Sequence, residues 1–134
     1  MNLQIRKALQ RAKETQCREL LELLLEVQTP FRIIVINKGI EYTPQLPPYI
    51  MKNLRDEILI FDLAKYTLST GQIVGRQLVF EAGFGRENVG AEVSIPLGRI
   101  STIYSFEVDA SIFINPFSEE EPAETVSNPR LVLK

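Results

Sequence analysis

The sequence predicts a mainly β fold behind one N-terminal α-helix, built as a small antiparallel barrel or sandwich. Three observations predict it. Residues 3 to about 27 contain no Pro or Gly and are rich in Leu, Glu, Gln, Lys and Arg, all good helix formers. From Phe31 the apolar residues fall into short β-branched runs separated by Gly, Pro and Asn turn signals. No long helical segment alternates with those runs, which argues against a β-α-β architecture.

In the opening segment Ala8, Leu9, Ala12, Cys17, Leu20, Leu21, Leu24 and Val27 recur at helical spacing. The helix must stop near Thr29-Pro30, because a proline disfavours helix in the residue before it. Leucines at 20, 21, 23, 24 and 25 cover more than one face. One face can pack on the body, leaving either an overspilling core helix or a dimer seam, since an uncovered remainder would be a large apolar patch.

"FRIIVI" (31–36) reads as a strand, "NKG" as a turn and "IEYT" as a possible return strand. "PQLPPYIMKNLRDE" reads as a long surface connection stiffened by three prolines. "ILIFDL" (58–63) is a second strand and "TLSTG" a turn. "RQLVFEAGFG" (76–85) and "AEVSIPL" (91–97) form a hairpin around "RENVG". "ISTIYSF" is open between helix and strand, and "ASIFINPF" (110–117) is the last strand, giving five or six in all. Residues 1–117 then form one domain. From Ser118 to Asn128 the chain holds four Glu, one Pro and few apolar residues, so 118–129 reads as a flexible acidic tether. The terminal "RLVLK" (130–134) departs from it, with three aliphatic residues between two cations.

The chain has 134 residues, a formal net charge of -2, 45% hydrophobic and 24% charged residues, which is enough for one core without disulfides or metal. With no net basic charge, neither nucleic acid nor a membrane is an expected partner. One cysteine rules out an intramolecular disulfide and suits a reducing cytoplasm. The N-terminus is too polar for a signal peptide, and no apolar run approaches the roughly 20 residues of a membrane span. The sequence has no histidine, which excludes His triads and Cys/His zinc sites. No enzymatic activity and no cofactor are expected.

"GFGRENVG" has three glycines, but a phosphate loop must open a helix, and a strand follows here. Gly85 and Gly90 fit turn geometry, while Gly83, inside a strand, fits a bulge or a close backbone approach. Glu119, Glu120 and Glu121 lack the spacing and glycine of a calcium loop. Asp56, Glu57 and Asp62 are the candidate carboxylates for an enzyme, against the simpler reading of a polar loop entering a strand. "RLVLK" either folds back as an added strand or docks in another protein's groove or sheet edge.

Several pieces together resemble one family. "FEAGFG…AEVSIPLGRISTIY" is similar to the strand-hairpin-strand of the SspB family (stringent starvation protein B). "NPRLVLK" resembles that family's C-terminal peptide, "LLLEVQTPFRIIV" its helix-to-strand junction, and "ILIFDL" its central strand. The resemblance runs from about residue 18 to 134 and rests on order and spacing. It implies a non-enzymatic bacterial cytoplasmic adaptor of the ClpXP protease, with an Sm/SH3-like barrel. Such an adaptor binds ssrA-tagged substrate proteins and tethers them to the ClpX unfoldase.

By position the tag groove maps to Glu81, Ala82, Gly83, Phe84 and Gly85 on one strand and Glu92, Val93, Ser94, Ile95 and Pro96 opposite. Ala82 and Gly83 would let a peptide backbone approach, with Phe84 and Val93 as apolar contacts. The ClpX-docking peptide maps to Arg130, Leu131, Val132, Leu133 and Lys134. The family's helix-mediated homodimer supplies a cover for the surplus leucines, with Leu9, Ala12, Cys17, Leu20 and Leu24 as its interface. The chain departs from the pattern in having Gly83 where Arg is frequent, Gly85-Arg86 where Gly-Gly is frequent, and a longer hairpin loop. Its tether is also short: eleven flexible residues span only ~18 Å root-mean-square. The alternative expectation is an Sm-like RNA-binding barrel, which would need a basic or aromatic face.

Overall fold

The computed structural model describes residues 2–121. Helix α1, Leu3–Val27, begins where the sequence predicts because Asn2 caps it, its side-chain oxygen accepting from the backbone N–H of Gln4 (2.7 Å) and Ile5 (3.3 Å). It ends at Gln28, which takes the left-handed conformation (φ 55°) just before Thr29-Pro30. Among the described residues no helix is long and apolar enough to cross a membrane.

Among the described residues eight strands follow: β1 Phe31–Ile36, β2 Glu41–Thr43, β3 Ile58–Leu63, β4 Gln72–Val74, β5 Gln77–Phe84, β6 Val89–Pro96, β7 Ile100–Ser105 and β8 Ala110–Ile114. They form two four-stranded antiparallel sheets, ordered β3-β1-β7-β8 and β2-β6-β5-β4. Neither sheet closes into a barrel, so of the two predicted architectures the closed one is set aside. Two short helices also replace predicted irregular segments. α2, Pro48–Met51, lies in the long connection, and α3, Lys65–Thr70, stands where a turn is expected. Both are anchored by burial of one aliphatic side chain, Ile50 and Leu68 respectively.

One core lies between the sheets. Phe31, Ile33 and Val35 of β1, together with Leu59, Phe61 and Leu63 of β3, alternate inward, as period-2 patterning requires. Leu78 and Phe80 of β5 and Ala91, Val93 and Ile95 of β6 meet them from the other sheet. Phe61 and Phe80 touch edge to face across the gap, with ring centres 5.6 Å apart. The outer face of the first sheet exposes Ile58, Ile60 and Ile114 beside a cross-strand ion pair, Arg32–Asp62 (2.6 Å).

α1 contributes Cys17, Leu21 and Leu24 to this core. It is also tied to the loop between β4 and β5 by Arg76, whose Nε and Nη2 donate to both carboxylate oxygens of Glu14 (2.8 and 2.7 Å). Burial pushes the Cys17 thiol up to about 12, so it is a packing residue and not a nucleophile. Leu21→Ala is expected to cost ~2–5 kcal/mol, as a fully buried leucine does. Urea unfolding checks it, and a loss below ~1 kcal/mol would show that this helix face is not core.

Candidate functional site

The hairpin β5–β6 sets the site. Its register pairs Phe80 with Val93, Glu81 with Glu92, Ala82 with Ala91, Gly83 with Gly90 and Phe84 with Val89. Successive pairs point to opposite faces. Phe80, Val93, Ala91 and Ile95 go to the core, and Glu81, Glu92 and the glycines go outward. The outward pairs border a groove of ~760 Å³ lined by Glu81, Ala82, Gly83, Gly90, Ala91 and Glu92. Thr43 and Pro44, at the end of β2, form one wall, and Tyr66 and Thr67 of α3 the other.

The opposed glycines leave part of the groove floor without side chains. The Asn88 side chain reaches over it, and a Cβ at Gly83 would stand only 1.7 Å from Asn88 Oδ1. Asn88 closes the four-residue turn Gly85–Asn88, in which Gly85 (φ 73°) and Asn88 (φ 54°) both take positive φ. β4 pairs with β5 only as far as Val79, and the Glu81 N–H is instead taken by Thr70 Oγ1 (2.9 Å). Beyond that point, among the described residues, no strand pairs with the outer edge of β5 next to Gly83.

Predicted groove residues therefore divide. Glu81, Ala82, Gly83 and Glu92 line the groove. Val93 and Ile95 are fully buried in the core, because they share the parity of Phe80 and Ala91, so they offer nothing to a ligand on this face. Phe84 also turns inward, where Tyr42 meets it edge to face at 5.7 Å. With Gly85, Ile50 and Leu54 it lines a separate apolar pocket of ~420 Å³. Ser94 and Pro96 are half-buried further along β6, and Ser94 donates to Gln77 Oε1 (3.1 Å). Tyr66, Thr67, Thr43, Pro44, Asn88, Gly90 and Ala91 are groove residues that sequence reasoning missed. Only Gly90 carried a signal, since it faces Gly83 once the hairpin register is counted.

On α1 the expected interface residues also separate. Cys17 and Leu24 are buried against their own chain, while Leu9 and Ala12 are exposed and Leu20 is half-buried. Leu23 (54% exposed) and Val27 (58%) extend the stripe of Leu9, Ala12 and Leu20 along one flank at spacings of three and four. Asp56, Glu57 and Asp62 do not converge on the groove: Asp62 is held by Arg32, and Glu57 sits beside Lys38 and Glu119.

The first residues of the expected tether lie against the body. Buried Arg99 donates from Nη1 to the carbonyls of Ser118 (3.2 Å) and Glu120 (2.8 Å), and its Nη2 lies 3.4 Å from the Glu121 carboxylate. Arg6 pairs with Glu120, and Gln10 Nε2 donates to the Glu121 carbonyl (2.6 Å). The pentad Arg130–Lys134 and the tether beyond Glu121 are outside the described residues.

Together these features define a two-sheet β protein with an acid-lined groove over a glycine floor. Set against known proteins, no protein-family model matches the chain, and no curated protein matches it.

The Tyr66 hydroxyl donates to Glu81 Oε2 (3.0 Å), and this hydrogen bond to a carboxylate holds the phenol's pKa above the ordinary tyrosine range. Its folded pKa is raised, so any stabilisation from the contact is present below about pH 10, the unfolded value, and is lost as pH rises through the folded pKa. Glu81→Gln is expected to lower the Tyr66 titration, read as phenolate absorbance against a Tyr66→Phe control. An unchanged titration would show that the contact does not form in solution.

Proposed function

We propose that this protein is a non-enzymatic adaptor that captures an extended peptide in the β5–β6 groove and delivers the attached protein to an unfoldase. The observation that carries the reading is the groove between β2 and α3, whose floor is bare at Gly90 and whose β5 edge past Glu81 pairs with no strand among the described residues, so that a peptide backbone can approach closely. The sequence resemblance to the SspB family makes the tag of ssrA type, the unfoldase ClpX and the two-sheet body a relative of the Sm/SH3-like barrels. Glu81 and Glu92 argue against the RNA alternative, since carboxylates at the groove repel a phosphate backbone.

In this reading Arg130–Lys134 dock on ClpX. The exposed flank of α1, from Leu9 and Ala12 to Leu23 and Val27, pairs two copies, so that two weak docking peptides act bivalently. Cys17 and Leu24 take no part in that seam.

Fluorescence anisotropy with an ssrA-type peptide, paired with ClpXP degradation of a tagged reporter, tests the two ends separately. Deleting residues 130–134 is expected to leave peptide binding intact and abolish accelerated degradation. Gly90→Val, whose Cβ meets nothing within 4 Å in the protein itself, is expected to abolish peptide binding while the far-UV circular dichroism stays unchanged. Acceleration by the truncated chain would refute the tail assignment, and peptide binding by Gly90→Val would refute the groove. Leu23→Asp is expected to convert a dimer into a monomer in analytical ultracentrifugation, and a wild-type monomer at ~100 μM would remove the seam.

A further inference from the structure

The outward side of the groove sheet is charged in one sign only. None of the four strands β2, β6, β5 and β4 contains a Lys or Arg, and among the described residues no cation lines the groove. Lys65 and Arg86 flank it in sequence without lining it. Glu81 and Glu92 stand directly opposite one another in the register. The Glu81 N–H points away from β6 to Thr70 Oγ1, so the two form a non-hydrogen-bonded antiparallel pair, the kind whose Cα atoms approach to about 4.5 Å. Like charges so opposed are destabilising.

Little in the protein offsets that repulsion. The Glu81 carboxylate has one partner, the neutral Tyr66 hydroxyl, and among the described residues the Glu92 carboxylate makes no hydrogen bond or ion pair. Two residues along the same face come Gly83, beneath the Asn88 side chain, and the bare Gly90. The acid pair thus stands beside an uncovered stretch of groove floor, with nothing cationic in the lining among the described residues.

We infer that the groove selects an extended peptide carrying a Lys or Arg side chain, which lies over the bare floor at Gly90 with its cation between the carboxylates of Glu81 and Glu92. This rests on the peptide-groove reading above and specifies what that peptide must contain. The ammonium or guanidinium replaces a like-charge contact with two charge-assisted hydrogen bonds. The pair therefore acts as a specificity filter in an otherwise sequence-tolerant slot: a neutral residue leaves the repulsion in place, and an acidic residue adds to it.

The test uses the full chain and four fluorescein-labelled, amidated peptides read by anisotropy. Three are Ala-Leu-Ala-Xaa-Ala-Leu-Ala with Lys, Gln or Glu at Xaa, and the fourth is the ssrA-type peptide. The Lys peptide is expected to bind at least about tenfold more tightly than the Gln peptide, with the Glu peptide weakest. The preference should shrink with rising salt and disappear in the Glu81→Gln/Glu92→Gln double variant, which removes a repulsion and leaves the core untouched. Equal binding of the Lys and Gln peptides, a preference that survives in the double variant, or binding of the ssrA-type peptide alone overturns this inference and leaves the peptide groove standing. Failure of the wild-type chain to bind any of the four overturns both.

Discussion

Everything at the site depends on the parity of one hairpin. Along β5 and β6 the side chains alternate between a packed core and the groove. The pairs Phe80–Val93 and Ala82–Ala91 fix which residues fall on which side. A one-residue slip of register would bring glutamates to the core and Val93 to the surface. Burial of Phe80, Val93 and Ile95 is worth roughly 1.5–3 kcal/mol each, far more than the repulsion between two opposed carboxylates. The core therefore dictates the groove, and a destabilising acid pair persists because the residues beneath it hold the strands in place.

Much of the fold was legible in the sequence, for reasons that separate what was found from what was missed. α1 was readable because twenty-five residues without Pro or Gly carry apolar residues at helical spacing and end just before Pro30, although its Asn2 cap went unread. β1 and β3 were readable as β-branched runs bounded by turn signals. α3 was not: six residues span less than two turns, too few to show a period, and its Thr and Ser content favours turns. What holds it is the burial of Leu68 and the Glu81 N–H donating to Thr70 Oγ1, both of which only tertiary context supplies. β4 has three residues and shows no pattern without its partner.

The candidate site was legible only in part. Gly83 could be picked out because a glycine inside a strand asks for a reason, whereas Tyr66, Pro44 and Asn88 reach the groove from separate elements that no local pattern connects. Placing Val93 and Phe84 in the groove treated a strand as if both its faces were available. The same error on α1 put Cys17 and Leu24 in a seam. Helical spacing identifies a stripe of apolar residues, but when the leucines wrap past one face it cannot say which flank meets the body. The structure separates them, with Leu21 and Leu24 inward and Leu23 and Val27 outward.

The Arg99 latch has a mechanical side. Ser118–Glu121 are moored by the carbonyls of Ser118 and Glu120 to the Arg99 guanidinium, and through it to the 3₁₀ turn Leu97–Arg99, with a second fastening on the start of α1. That mooring sits at the Pro96 end of β6, away from the glycine floor. A load placed on this stretch would therefore peel the mooring before it disturbed the hairpin.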